Sequence, residues 1–144
     1  METTEMGRVL TEATLENLGD LVDADRGRIT LDQVRRITVN DALVDTGATA
    51  LALPTRLIRQ LGLKKVYQKR ATSSTGSSDV DVYEAVRLTI QGRQMPLDVM
   101  EVPDTVPVLI GQIPLEYFDL VIDPRSRRLI GNPAHGGEHI FELL

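Results

Sequence analysis

The chain has 144 residues, 42% of them hydrophobic, which fits one globular domain with a modest core and excludes an intrinsically disordered chain. Its net charge of −5 disfavours nucleic acid as a partner, and the absence of cysteine excludes disulfides, thiol catalysis and thiolate metal sites. Neither a signal-like N-terminus nor an apolar run near the ~20 residues of a membrane-spanning helix is present, so we expect a soluble cytoplasmic protein that does not contact membranes.

The first third of the chain predicts short strands. Residues 9–18 are compatible with one strand, and residues 20–27 have the composition of a loop. Residues 28–39 alternate in part, which indicates one or two short strands, and Asn40-Asp41 predicts a turn. Residues 42–45 then form a short apolar run, which predicts a buried strand.

The middle of the chain contains the clearest helix and a hairpin. Residues 54–61 predict a helix with proline in its first turn, an apolar stripe, and Gly62 just past its end. Residues 66–71 and 80–90 predict the two arms of a hairpin, because Val80, Val82 and the later apolar residues of the second arm alternate, although Glu84 breaks the pattern. The tip between the arms is small and polar, and such a tip moves easily.

The last third predicts further strands. Residues 91–93 indicate a turn, 97–102 a strand, 106–110 a short buried strand, and 114–118 one helical turn. Residues 120–123 and 128–130 flank a turn and predict a hairpin. Many short strands and one clear helix predict a mainly β fold.

The cations of residues 56–70 have no acidic neighbour in that stretch. They are Arg56, Arg59, Lys64, Lys65, Lys69 and Arg70. Such a stretch is most often a solvated surface, and the functional alternative is steering of a charged substrate or partner.

The tripeptide Asp45-Thr46-Gly47 follows a buried strand and occurs once in the chain. A carboxylate that emerges from a core strand is held rigidly, and glycine lets another backbone approach closely. The tripeptide by itself is a weak signal, since it arises by chance in on the order of a few per cent of chains of this length. The local alternative is an ordinary turn capped by aspartate.

Residues 43–49 resemble the catalytic motif of retropepsin-like aspartic proteases. Residues 108–111, Val-Leu-Ile-Gly, resemble the second marker of that family, roughly sixty residues downstream. The helix and hairpin between the two motifs, and the helical turn after the second, match the layout of the family. The resemblance covers residues 28–132. More narrowly, the chain resembles the soluble bacterial aspartyl-protease-like proteins of that superfamily.

The resemblance implies a fold and a reaction. The fold is mainly β, a retropepsin-like acid-protease β-barrel with one short helix, active as a two-fold homodimer. The implied function is that of an aspartic endopeptidase in which two Asp45 carboxyls activate water on a polypeptide substrate, with no cofactor or metal. The residues that would support Asp45 are Thr46, Gly47, Ala48, Leu109, Ile110 and Gly111. The substrate-covering flap would comprise Ser74, Thr75, Gly76 and Ser77.

Three further expectations accompany this interpretation. The chain divides into an N-terminal extension (1–27), a retropepsin-like domain (28–132) and a C-terminal tail or dimer strand (133–144). Ala48 cannot donate a hydrogen bond to the carboxylate, as serine or threonine could, so we expect the pair to keep its shared proton to mildly acidic or near-neutral pH. His135 and His139 lie four residues apart, but two intervening glycines favour a polar loop over a helical metal site.

An alternative function belongs to another class. The scarcity of aromatic residues, 3% of the chain, leaves few large side chains to grip a substrate. A protein that keeps the protease fold but cleaves little would then be a peptide-binding or assembly module. A third option is a protomer of a larger complex.

Overall fold

The computed structural model describes residues 8–73 and 75–140 and shows a closed β-barrel accompanied by short helices. The strands are β1 (Leu10–Asn17), β2 (Arg36–Val44), β3 (Leu51–Pro54), β4 (Lys65–Ser73), β5 (Gly76–Ile90), β6 (Arg93–Val102), β7 (Leu109–Ile110), β8 (Leu120–Asp123) and β9 (Arg128–Gly131). The helices are α1 (Leu18–Asp25), α2 (Thr55–Gln60) and α3 (Gln112–Phe118), with 3₁₀ turns at Leu31–Gln33 and Pro133–His135. The predicted mainly β class is confirmed.

The barrel contains six strands in the order β1-β2-β7-β3-β6-β5, and it closes because β5 also pairs with β1. β4 continues the sheet from β5 as the first arm of a long hairpin. The remaining two strands, β8 and β9, form a separate antiparallel pair after α3. Closure leaves a single apolar interior, in which the large side chains with almost no exposure include Phe118, Leu15, Leu51, Leu53, Ile58, Leu61, Leu88, Ile90 and Ile110.

β5 pairs with different strands along its length, and a β-bulge separates its two parts. Residues 76–83 pair with β4, whereas residues 86–89 pair with β1 and close the barrel. Between Tyr83 and Val86 the register against β6 shifts by one residue, so an extra residue is accommodated at Glu84–Ala85. The Glu84 amide donates to the Lys64 carbonyl (2.9 Å), and its carboxylate accepts from the Lys64 amide (2.8 Å). This bulge accounts for the interruption at Glu84.

The bulge also changes which face of the strand is buried in the core. Tyr83 is paired with Val99 and packs against the core, so Val82, paired with Met100, lies on the opposite face. After the bulge, Val86 packs in the core. The expectation that Val80, Val82 and the later apolar residues share one face is therefore wrong, because one inserted residue reverses the alternation.

The sequence predictions for the N-terminal third were partly wrong. The predicted loop at residues 20–27 is mostly helix α1, which begins after Asn17 because the side chain of Asn17 accepts a hydrogen bond from the Asp20 amide (3.0 Å). The predicted turn at Asn40-Asp41 lies within β2. There β2 has one more residue than β1 between two aligned pairs, so the turn-like residues occupy a bulge.

Three other differences concern short elements. The structure has three helices in the described residues where one was expected, since α1 is new and residues 112–118 form a full helix. The strand predicted at residues 106–110 shrinks to β7, and β3 was not predicted. Strands this short are hard to predict because they contain too few residues to show a pattern. β7, for example, is held by its pairing with β2 on one side and β3 on the other. The strand at β1, helix α2, the β4–β5 hairpin and the β8–β9 hairpin are where they were predicted.

The segment after β9 is attached to the end of α3. The buried carboxylate of Asp119 accepts from Asn132 Nδ2 (3.1 Å), lies 2.5 Å from His135 Nδ1, and accepts from the Ile140 amide (3.4 Å). The Arg93 guanidinium donates to the carbonyls of Phe118 (2.6 Å) and Gly137 (2.5 Å). His135 is thus an Asp119 partner, and no cluster of three potential metal ligands occurs within residues 8–73 and 75–140.

None of the helices in the described part of the chain has both the length and the apolar character needed to cross a lipid bilayer.

Candidate active site

Asp45 is the first residue after β2, a strand held on both sides. The preceding residues pair in parallel with β7, with Leu43 aligned to Leu109 and Val44 to Ile110. The Val44 amide donates to the Val9 carbonyl (2.9 Å), and the Asp45 amide donates to the Ile110 carbonyl (2.9 Å). The backbone of Asp45 is therefore fixed, while its side chain is half-buried and reaches the surface.

The residues after Asp45 form a tight turn that orients the carboxylate. The Gly47 amide donates to Asp45 Oδ1 (3.0 Å), and the Ala48 amide donates to the Asp45 carbonyl (3.1 Å). A Cβ atom on Gly47 would lie 3.3 Å from Asp45 Oδ1, a contact that would press on the carboxylate. The aspartate-capped turn considered from the sequence is thus present, and it serves to fix the position of the carboxyl group.

The turn is supported from behind by the start of α3. The amides of Gly111, Gln112 and Ile113 donate to the carbonyls of Ala50 (2.9 Å), Ala48 (2.8 Å) and Thr49 (3.0 Å), respectively. We call residues 45–50 together with residues 111–113 the loop support. Because all three bonds join backbone groups, the support does not depend on side-chain rotamers.

Gly111 is required by space, not by backbone conformation. Its φ of −88° is open to any residue, yet a Cβ atom there would lie 2.5 Å from the Ala50 carbonyl oxygen and 2.6 Å from the Ala50 nitrogen. No side chain fits between the two backbones. The predicted glycine of the second motif is explained by this close approach.

A family model described as aspartyl protease matches residues 27–112, which is more than half of the chain. The chain belongs to the aspartyl protease family. The match includes both motifs and confirms the family resemblance found in the sequence. No curated protein matches the chain. Among solved structures, the solution structure of simian foamy virus (mac) protease is similar, with 18% sequence identity, a TM-score of 0.46, and coverage of 75% of this chain and 92% of that chain.

In this aspartyl protease family member, a cavity lies beside the Asp45 turn. It has a volume of about 280 Å³ and is lined by Gly47 and Ala48 from the turn, Thr72 and Val80 from the β4–β5 hairpin, and Met100 from β6, among others. A second cavity of about 270 Å³ adjoins it between Thr49 and the same hairpin. We call the two cavities together the cleft.

The predicted site residues fall into two groups. Asp45, Thr46, Gly47 and Ala48 are brought to Leu109, Ile110 and Gly111 by strand pairing and by the loop support. The predicted flap residues Thr75, Gly76 and Ser77 lie at the hairpin tip, where Gly76 has a φ of +130°, and Ser74 lies outside the described residues. The described hairpin residues that line the cleft belong to its strands.

Sequence reasoning missed the residues that act through their backbone or through the cleft wall. The amides of Gln112 and Ile113 and the carbonyl of Ala50 leave no trace in residue type, since any amino acid can supply them. Met100 was assigned only to a strand, and in the structure it is paired with Val82 of β5 and lines the cleft.

Proposed function

We propose that the protein is an aspartic endopeptidase that hydrolyses peptide bonds as a two-fold homodimer. The observation that carries the proposal is the position of Asp45, whose half-buried carboxyl is oriented by the Gly47 amide on a turn supported by three backbone hydrogen bonds. The Asp-Thr-Gly tripeptide occurs once in the chain, so one protomer supplies one such carboxyl. A second copy would supply the other, and pairing about a two-fold axis is the usual arrangement of homo-oligomers.

The chemistry follows from two carboxyl groups in contact. They cannot both ionise, so they share one proton, as aspartic-protease dyads do. The ionised Asp45 takes a proton from a water molecule as its oxygen attacks the peptide carbonyl carbon, and the partner's Asp45 gives its proton to the carbonyl oxygen. The tetrahedral species then collapses: Asp45 gives the proton that it took from water to the nitrogen as the C–N bond breaks, and the hydroxyl made from the carbonyl oxygen returns its proton to the partner's Asp45, so the pair again shares one proton. The two pKa values belong to the pair, not to one residue.

Neighbouring residues would complete the proposed site. The hydroxyl of Thr46, which is exposed in the single chain, would bond to the backbone of the partner subunit and lock the two turns together. The β4–β5 hairpin would act as the flap, with Ser74 to Ser77 at its tip, and the substrate would bind beneath it as an extended strand. The side chain of Ala48 contains no hydrogen-bond donor for the Asp45 carboxylate, so we expect activity at mildly acidic to near-neutral pH. A pH–rate profile checks this expectation.

The test compares two Asp→Asn variants on a denatured protein substrate. Asp45→Asn keeps the shape of the side chain but cannot share the proton, so cleavage should fall by at least about 10²-fold while sedimentation still shows a dimer. Asp41→Asn, at an exposed position on the same strand, is the matched control and should cleave like the unmodified protein.

Two outcomes would contradict the proposal. Cleavage by the Asp45→Asn variant would mean that Asp45 is not the catalytic carboxyl. Cleavage by a strictly monomeric protein would mean that no pair of Asp45 carboxyls is needed. If peptides bind and Asp41→Asn and the unmodified protein both fail to turn them over, the peptide-binding or assembly module becomes the better description.

A further inference from the structure

One face of the β4–β5 hairpin carries charges that are compensated by their neighbours. Residues opposite each other across paired strands point to the same face. Arg70 lies opposite Asp79 with a charge separation of 3.6 Å, and Gln68 lies opposite Asp81 and donates to it (2.8 Å). Asp81 also pairs with Lys65 (3.2 Å). The charged groups at these positions are thus partnered within the hairpin.

The cleft face of the same hairpin carries one cation without such a partner. Lys69 lies opposite Val80, so the two side chains share a face, and both line the cleft together with Ala71 and Met100. Lys65 and Arg70 on β4 are each paired with a β5 carboxylate, whereas no carboxylate pairs with Lys69 in residues 8–73 and 75–140. Within the described hairpin, Lys69 is therefore the one cation of the cleft lining without an ion-pair partner. The lining also includes Arg70, which is paired with Asp79, and the carboxylate of Glu101, which accepts from Thr55 Oγ1 (2.6 Å) and Tyr83 Oη (3.0 Å).

The position of Lys69 favours a negatively charged group on a peptide bound in the cleft. Its methylene stem can lie along Val80 and Met100 while the ammonium stays hydrated at the mouth of the cleft. When a peptide fills the cleft, the ammonium loses water, and a carboxylate on that peptide compensates for the loss better than an amide or a second cation does. The chain as a whole is acidic, with a net charge of −5, so a local cation is needed to offset repulsion of an acidic peptide.

We propose that Lys69 selects substrates that carry a glutamate or aspartate side chain in the segment lying under the hairpin. The inference rests on the proposed function, since it names the substrate class of that site, but it concerns recognition and not the chemical step. Lys69 is thereby a specificity residue, and removal of its charge should change which peptides are preferred without stopping cleavage.

The experiment uses ten-residue peptides with two central leucines, in which one position at a time is glutamate, glutamine or lysine. The unmodified protein should cleave the glutamate peptide about fivefold faster than the glutamine peptide at one position, as expected for one exposed ion pair. The preference should shrink when the ionic strength is raised to 1 M, because screening acts within about 3 Å there.

Lys69→Met keeps most of the stem and removes the charge, so it should cleave the glutamate and glutamine peptides at equal rates. Lys65→Met is the matched control, because it makes the same substitution on the same strand in a residue paired with Asp81. Its preference for glutamate should be unchanged. Lys69→Glu should reverse the order and favour the lysine peptide.

A binding arm with the Asp45→Asn variant separates this inference from the proposed function. If peptides are cleaved but glutamate is not preferred at any position, the inference fails and the proposed function stands. If no peptide is cleaved, yet the glutamate peptide binds more tightly and Lys69→Met removes the difference, the inference stands and the proposed function fails. Dissociation of the dimer in Lys69→Met would overturn the inference, since Lys69 would then belong to the subunit interface.

Discussion

The loop support and the β4–β5 hairpin face each other across the cleft, and they are built from different interactions. The loop support is held by backbone hydrogen bonds between residues 48–50 and residues 111–113, at the end of a buried strand. The β4 arm of the hairpin is exposed over residues 65–72. Besides the backbone pairing of its two strands, it is held by exposed ion pairs such as Arg70–Asp79. From this difference we expect the side carrying the carboxyl to be rigid and the side proposed to cover the substrate to be adjustable.

The largest effect on the loop support is expected from Gly111→Ala. The added Cβ would meet the Ala50 backbone at 2.5 Å, and neither backbone can move without loss of hydrogen bonds. We expect the free energy of unfolding to fall by about 2–4 kcal/mol and any cleavage activity to be lost. Urea unfolding measures the first effect, and a peptide assay on the folded fraction measures the second.

Gly19→Ala is the control, because it adds the same methyl group in helix α1, where φ is not positive and the nearest atom is a side-chain oxygen at 3.3 Å. It should be close to neutral, since the helix gains from alanine what the contact costs. A Gly111→Ala protein as stable as Gly19→Ala would mean that the two backbones separate freely, and the rigid description of the loop support would be wrong.

A second prediction concerns the end of α3, on which the loop support rests. The hydrogen bond with His135, followed by those from Asn132 and Ile140, holds the pKa of the Asp119 carboxyl below its usual range. The ionised carboxylate therefore stabilises the fold above about pH 4, the ordinary range of an aspartate, and this contribution is lost as the pH falls through the lowered pKa.

Asp119→Asn tests this dependence and suits the position, because Asp119 has a φ of +57° that asparagine also tolerates. The variant should be less stable than the unmodified protein at pH 6, and the two proteins should converge in strong acid. Thermal unfolding from pH 2 to pH 7 gives the measurement. A constant difference across that range would mean that the charge of Asp119 is not what holds the C-terminal segment.

The smallest effect is expected in the hairpin. Arg70 and Asp79 have side chains that are 71% and 54% exposed, so Arg70→Ala should change the free energy of unfolding by less than about 0.5 kcal/mol. Hydrogen exchange should show the same contrast, with the amides of Asp45 and Gln112 exchanging more slowly than those of residues 70–73 and 75–79. Equal protection in the two regions would remove the distinction between a rigid and an adjustable side.

The sequence predicted the fold best where a pattern is local. The helix over residues 55–60 and the two hairpins follow from periodicity and turn residues, and both motifs mark the ends of β2 and β7 correctly. The prediction failed where pairing overrides local preference, as at Asn40-Asp41, which favours a turn but occupies a bulge in β2. It also failed at α1, a single short helix that depends on the cap from Asn17.

For the candidate site, residue type revealed the carboxylate and the two glycines, because few residues can replace them. The division at residues 27 and 132, the flap, the dimer and the cytoplasmic location stay predictions. The cleft could not be found from the sequence, since it depends on the strand register that pairs Met100 with Val82 of β5.

The sequence by itself determined the chemistry-bearing group and its family, because Asp-Thr-Gly and Val-Leu-Ile-Gly are short local patterns with a fixed order. Only the tertiary structure decided how Asp45 is held and which cation faces the cleft. The physical reason is that Asp45 is held by backbone hydrogen bonds between segments roughly sixty residues apart, whereas the face of Lys69 is set by the register of β4 against β5. The identity of each residue contributes little to either property.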